Sequence, residues 1–253
     1  MGPTGPRWQR LALACLATVM AATASAAPVA AAYQASAYDN KTAFTTCIGS
    51  TSTIPQQLRA LAVSAFSYLA YAPSSFEGTA FTAGTVLARA GADAGFYVHS
   101  HGDHYSTGWG FRVDGGSCSQ GIVTSGQIKA LRMTPEQWVR SANLVVASTC
   151  HLGESASDFP LGFGIAKVRS APNGTNYQGR RFFLGYSGTA WTWDMLQFES
   201  RFWQYAKTGH NLGEAFAWTI NDRVMVYGSS PTWWGSYTYS GVPGAVTPCS
   251  TCR

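Results

Sequence analysis

The sequence predicts an α/β protein with a mostly parallel central sheet flanked by helices. Short apolar runs alternate with amphipathic stretches, which is how strands and covering helices are written in such folds. Two of the runs, Gly95-Phe96-Tyr97-Val98 and Asn143-Leu144-Val145-Val146-Ala147, are strong strand signals, and no internal repeat or second compositional region interrupts the pattern. Of the 253 residues, 46% are apolar, 13% aromatic and only 11% charged, which excludes a mainly disordered chain. The length suits one domain. A net charge of +5 without any Lys/Arg run excludes a nucleic-acid stripe, and the membrane-surface and acidic-substrate readings lose their support with it.

From the N-terminus, Arg7 and Arg10 precede the apolar run Leu11 to Ala22, and Ala24-Ser25-Ala26 has the form of a signal-peptidase site. The run is shorter than the ~20 residues a membrane span requires. Residues 1–26 are therefore expected to be a signal peptide, residues 27–44 an Ala-rich lead-in, and residues 45–253 a single α/β domain, secreted and monomeric. Pro55 to Tyr71 carries Leu58, Leu61, Ala62, Ala65, Phe66 and Leu69 at helical spacing, with Pro73 as its stop. Thr85 to Ala90 reads as a second short helix. After the Gly95 strand, Trp109–Val113 and Ile122–Ile128 read as a hairpin around Asp114-Gly115-Gly116. Thr134-Pro135-Glu136 resembles a helix start. Beyond the Asn143 strand, Leu161–Val168 is expected to be helical, Arg181–Tyr186 a strand, and Met195–Lys207 an amphipathic helix stopped by Gly209. Asn211 with Glu214 marks a capping box for a last helix reaching about Met225.

Open parallel sheets bind ligands at the carboxyl ends of their strands, and His101 and Cys150 each lie just past such an end. After removal of Cys15 with the signal, five cysteines remain: Cys47, Cys118, Cys150, Cys249 and Cys252. In an oxidising compartment that odd number is read most economically as two disulfides and one free thiol, with connectivity open.

Tyr97-Val98-His99-Ser100-His101-Gly102 resembles the strand-then-His-Gly motif of caspase-like (clan CD) cysteine peptidases. Val145-Val146-Ala147-Ser148-Thr149-Cys150-His151-Leu152-Gly153 resembles their apolar strand ending in Cys, with the Cys-x-x-Gly spacing of legumain- and CHAT-type members. The spacing from His101 to Cys150 is close to the ~50 residues of caspases. Phe182–Tyr186, Trp191, Asp194, Phe198, Phe202, Gly209 and Glu214–Phe216 continue the CHAT-like pattern, so the likeness runs from about Ala94 to Met225. Ser148-Thr149 departs from the family's usual pair before the cysteine. The resemblance implies a caspase-like fold and a secreted endopeptidase acting on protein or peptide substrates without a cofactor. It makes Cys150 the nucleophile and His101 the general acid/base, with the Gly102 and Cys150 backbone N–H groups holding the oxyanion. Asp194 is a candidate for the substrate pocket, with helix capping as its alternative.

The same stretch supports a rival. His99-Ser100-His101-Gly102-Asp103-His104 matches the His-x-His-x-Asp-His motif of metallo-β-lactamase-like hydrolases, in which His99, His101, Asp103 and His104, with His151, would hold zinc. Against it, a helix rather than a strand-rich half opens the chain, and a Gly-rich loop rather than a helix follows the motif. A third reading is a non-catalytic secreted binding protein, with Cys150 a buried small hydrophobe and His99, His104 and His151 ordinary hydrogen-bonded residues. Trp233-Trp234 with Tyr237 and Tyr239 fits either a sugar-stacking surface or sheet packing. Asn40 and Asn173 lie in glycosylation sequons.

Overall fold

The computed structural model describes residues 33–115, 121–136, 139–170, 179–224 and 228–243. The expected signal segment, Cys118, Asn173, Met225, Cys249 and Cys252 lie outside these residues. In chain order the elements are β1 (Tyr33–Asp39), α1 (Lys41–Ile48), α2 (Ile54–Tyr68), β2 (Tyr71–Phe76), α3 (Ala83–Ala90), β3 (Gly95–His99), β4 (Gly102–Tyr105), β5 (Gly108–Arg112) and β6 (Ile122–Thr124). They continue with α4 (Ser125–Arg132), β7 (Leu144–Ser148), α5 (Phe159–Gly162), β8 (Phe182–Gly188), α6 (Thr192–Lys207), α7 (Leu212–Asn221) and β9 (Ser229–Gly235). Six strands form one sheet in the order β2-β1-β3-β7-β8-β9, parallel throughout except for β9, which runs antiparallel to β8. The remaining three make a small antiparallel sheet, β4-β5-β6.

The chain is thus an α/β protein with a mostly parallel central sheet flanked by helices. Strand alternation sends Ala35, Ala37, Tyr97, Val146 and Leu184 to one face, where Leu58 and Phe66 of α2 and Phe198 and Phe202 of α6 cover them. Tyr38, Phe96, Val98, Val145 and Phe183 go to the other, under Val86 of α3, Ile128 of α4 and Phe159 of α5. With both faces covered, the central strands are apolar at nearly every position.

Several expectations need correction. Residues 27–44 are not a loose lead-in along their length, because Tyr33–Asp39 is an interior strand and α1 begins at Lys41. Ala35 and Ala37 are small because β1 lies beneath large neighbours such as Phe66 and Tyr71. The α2 helix ends at Tyr68, and Pro73 stands inside β2, an edge strand whose only ladder is with β1, a position that tolerates a missing N–H. The stretch Ile122–Ile128 is a three-residue strand followed by a helix, since Thr124 and Gln127 close a capping box that starts α4. No helix begins at Thr134, where Met133 instead bridges to Val139. Helix α5 runs only Phe159–Gly162, and a left-handed Gly164 (φ 67°) turns the chain away. The capping box of Asn211 and Glu214 does start α7.

Candidate active site

Strands β3 and β7 are neighbours with His99 opposite Ser148, so the chain leaves both strands at the same level. Two residues later on each come His101 and Cys150. Both line one cavity of about 440 Å³, together with Cys47, Gly102, Asp103, Tyr105, Arg112, His151 and Thr189. Cys150 carries a free thiol, while Cys47 is disulfide-bonded.

The Cys150 Sγ sits against the start of α6, accepting from the Ala190 N–H at 3.4 Å and donating toward the Ala190 carbonyl at 3.7 Å. Burial pushes the thiol above its ordinary range, the Ala190 N–H pulls it back, and the Asp103 carboxylate pushes it up again. His101 lies flat on Phe44, with ring centroids 5.1 Å apart and planes 6° from parallel. Its ring makes no hydrogen bond to a described residue. Although the residue is exposed, the packing around its ring, and then the Arg112 guanidinium, lower its basicity. Thiol and imidazole therefore face one cavity as neutral groups at rest.

Gly102 is glycine for a steric reason. A Cβ there would come within 2.6 Å of the Cys150 carbonyl and 2.8 Å of the Thr149 Cβ. The Arg112 N–H donates to the His101 carbonyl at 2.9 Å, so the alternation of the antiparallel ladder turns the Gly102 N–H away from β5 on the edge strand β4. Gly153 is equally constrained, since a Cβ would lie 2.6 Å from the Tyr186 N. The backbone between Cys150 and Gly153 is fastened to β8 by His151 N–H to Gly188 O at 3.0 Å and Gly153 N–H to Tyr186 O at 2.8 Å, with His151 at φ 63°.

The other predicted residues separate. His99 is buried, its Nδ1 3.0 Å from the Ser148 carbonyl and 3.1 Å from its Oγ, and burial lowers its pKa to about 4. Its Nε2 is buried and makes no hydrogen bond to a described residue. Asp103 is exposed and accepts the His104 N–H at 2.7 Å, whereas His104 packs on Trp109. His151 Nδ1 pairs with Glu154 at 2.5 Å. Among the described residues no three His, Cys, Asp or Glu side chains are grouped to hold a metal ion. The metal reading thus fails on placement: His101, Asp103 and His151 line the cavity without being grouped to share an ion, while His99 is buried against Ser148 and His104 packs on Trp109. Asp194 lies in the first turn of α6, where Trp191 is the cap residue, and it does not line the cavity. Asn40 is fully buried and donates to Ser100 Oγ at 3.3 Å, so its sequon is hidden in the folded chain. Trp233 and Trp234 belong to β9, with Arg169 stacked over both, which is sheet packing.

Sequence reasoning missed Phe44, Arg112, Thr189 and Ala190. The one available signal was position, because Thr189 and Ala190 follow the glycine that ends β8, a third strand end on the same edge.

No family model matches the chain, and no curated protein does. Among solved structures, the protein GSU0716 from Geobacter sulfurreducens is similar with a TM-score of 0.45 and 13% identity, over 81% of this chain and 93% of that one.

Proposed function

We propose that the chain is a secreted cysteine endopeptidase of caspase-like type, hydrolysing peptide bonds in protein or peptide substrates as a monomer through Cys150 and His101. The observation that carries this reading is a free thiol and an imidazole released at the same level from adjacent parallel strands into one cavity.

In this reading a scissile carbonyl enters the cavity that the two groups line. On attack, neutral His101 takes the Sγ proton as the Cys150 sulfur bonds to the carbonyl carbon. The Gly102 N–H, free of the β5 ladder, and the Cys150 N–H are the donors for the resulting oxyanion. Imidazolium then delivers its proton to the leaving amine as the C–N bond breaks. A water molecule, deprotonated by the same ring, hydrolyses the thioester and returns the thiol. Because burial keeps the thiol protonated at rest, proton transfer belongs to the attack itself.

The test is cleavage of an unfolded protein and a mixed peptide library by the wild type and by Cys150→Ala. Cleavage in the wild type that resists chelator, is blocked by iodoacetamide and vanishes in Cys150→Ala is expected. Cleavage surviving in Cys150→Ala, or thiol-independent in the wild type, overturns the reading, as does no cleavage by either protein.

A further inference from the structure

Beneath the cavity a carboxyl is buried with no part in the chemistry above. Glu199 projects from α6 into the layer under the sheet and is fully buried. Its two oxygens accept from Tyr97 Oη of β3 at 2.9 Å and Tyr186 Oη of β8 at 3.0 Å, so the carboxyl reaches to both sides of β7. On β7 the Ser148 hydroxyl also faces the carboxyl. It lies 3.1 Å from His99 Nδ1 and 3.6 Å from Met195 Sδ, one turn earlier on α6. The network lies close behind the site in sequence: Tyr97 precedes His101 by four residues and His99 precedes it by two, Ser148 precedes Cys150 by two, and Tyr186 precedes Gly188, which anchors the His151 N–H, by two.

We infer that Glu199 is a positioning residue for the Cys150–His101 pair, its carboxyl pinning β3, β7 and β8 at one level under the cavity and its ionisation being felt at the Cys150 thiol. Packing alone does not explain the choice, since a well-packed apolar side chain fills such a layer without the cost of desolvating an acid. When the carboxyl is ionised, a directed chain forms: His99 Nδ1–H donates to Ser148, the Ser148 hydroxyl turns its one hydrogen from Met195 Sδ to Glu199, and both phenols donate to it as well. Burial raises Glu199 to about 7, with the Ser148, Tyr97 and Tyr186 hydroxyls pulling it back. Further out, Asp39 of β1 acts on Tyr97 and is itself paired with Arg59 of α2. Among the described residues no other charged side chain acts on the carboxyl.

The inference depends on the peptidase reading only for its effect on cleavage, so the test reads the thiol. The rate of Cys150 alkylation by iodoacetamide is measured on the full chain from about pH 5 to about pH 9, with thermal melts alongside. A carboxylate under the sheet opposes the thiolate, so the wild-type rate is expected to rise less steeply once Glu199 ionises. Glu199→Gln removes that bend and alkylates about fivefold faster than wild type at the alkaline end, the low end of coupling between distinct sites. Tyr186→Phe deletes one donor to the carboxylate and moves the bend to higher pH. Superimposable profiles for wild type and folded Glu199→Gln overturn the inference. If Glu199→Gln fails to fold, a bend unmoved in Tyr186→Phe overturns it equally. Failure to find any cleavage leaves this profile intact and counts only against the peptidase reading.

Discussion

At Cys150 the decisive quantity is the resting charge of the thiol. Its own burial and the Asp103 carboxylate hold the proton on sulfur, and the imidazole that would take it is neutral and not bonded to it. His101→Ala is therefore expected to abolish cleavage while leaving the alkylation rate of Cys150 at neutral pH unchanged. A fall of about tenfold in that rate would show a thiolate–imidazolium pair instead. Gly102 gives a steric counterpart. Gly102→Ala drives a methyl into the Cys150 carbonyl and Thr149, at a cost of about 1–3 kcal/mol, typical of overpacking. The expected result is a lowered melting temperature together with lost cleavage. An unchanged melt would mean that β4 shifts freely, and the oxyanion assignment of Gly102 would fall with it.

The elements that carry the site were legible because their signal is composition at a strand end. The β3 and β7 runs are apolar at successive positions, so the points where His101 and Cys150 emerge could be located without coordinates. Elements whose character comes from their surroundings were not legible. β1 reads as a linker because Ala35 and Ala37 are small, yet their smallness answers the bulk of Phe66 and Tyr71 packed over them. β2 hides behind Pro73 because an edge strand tolerates it, and β4 is polar because it too lies at an edge. Metal-motif spacing misled for a related reason: it records residue order and not the bend at Ser100 between β3 and β4. At the opposite end of the strands, Arg132 closes α4 with no such signal. It donates to the carbonyls of Ala90 at 2.6 Å, Arg140 at 2.8 Å and Asp93, tying α3 to the segments that lead into β3 and β7. Arg132→Met leaves these carbonyls short of donors and is expected to cost at least about 3 kcal/mol by denaturant titration. The site, about 17 Å away along five-residue strands, should keep its alkylation profile.

For the molecule as a whole, two buried groups in one network give stability opposite dependences on pH. His99 falls from its ordinary 6.5 to about 4 in the fold, so the unfolded chain binds more protons between these values and stability rises with pH across that window. Glu199 rises from 4.5 to about 7, so the folded chain binds more protons and stability falls as pH rises from about 4.5 to about 7. Each slope amounts to about 3 kcal/mol over its window, and over most of the range they cancel. Melts of the wild type are expected to vary little between about pH 4.5 and about pH 6.5, whereas Glu199→Gln gains stability on raising the pH and His99→Asn loses it. Parallel slopes in the two variants would show that the groups do not titrate as their burial requires.

The protonated resting thiol has a consequence for durability. Peroxide and foreign disulfides react with thiolate, not thiol, so a nucleophile that surrenders its proton only against a bound carbonyl offers oxidants little to attack. In the proposed secreted peptidase, where no reductase would restore a spoiled cysteine, longevity would come from the same wall of buried backbone at Ala190 that holds the sulfur.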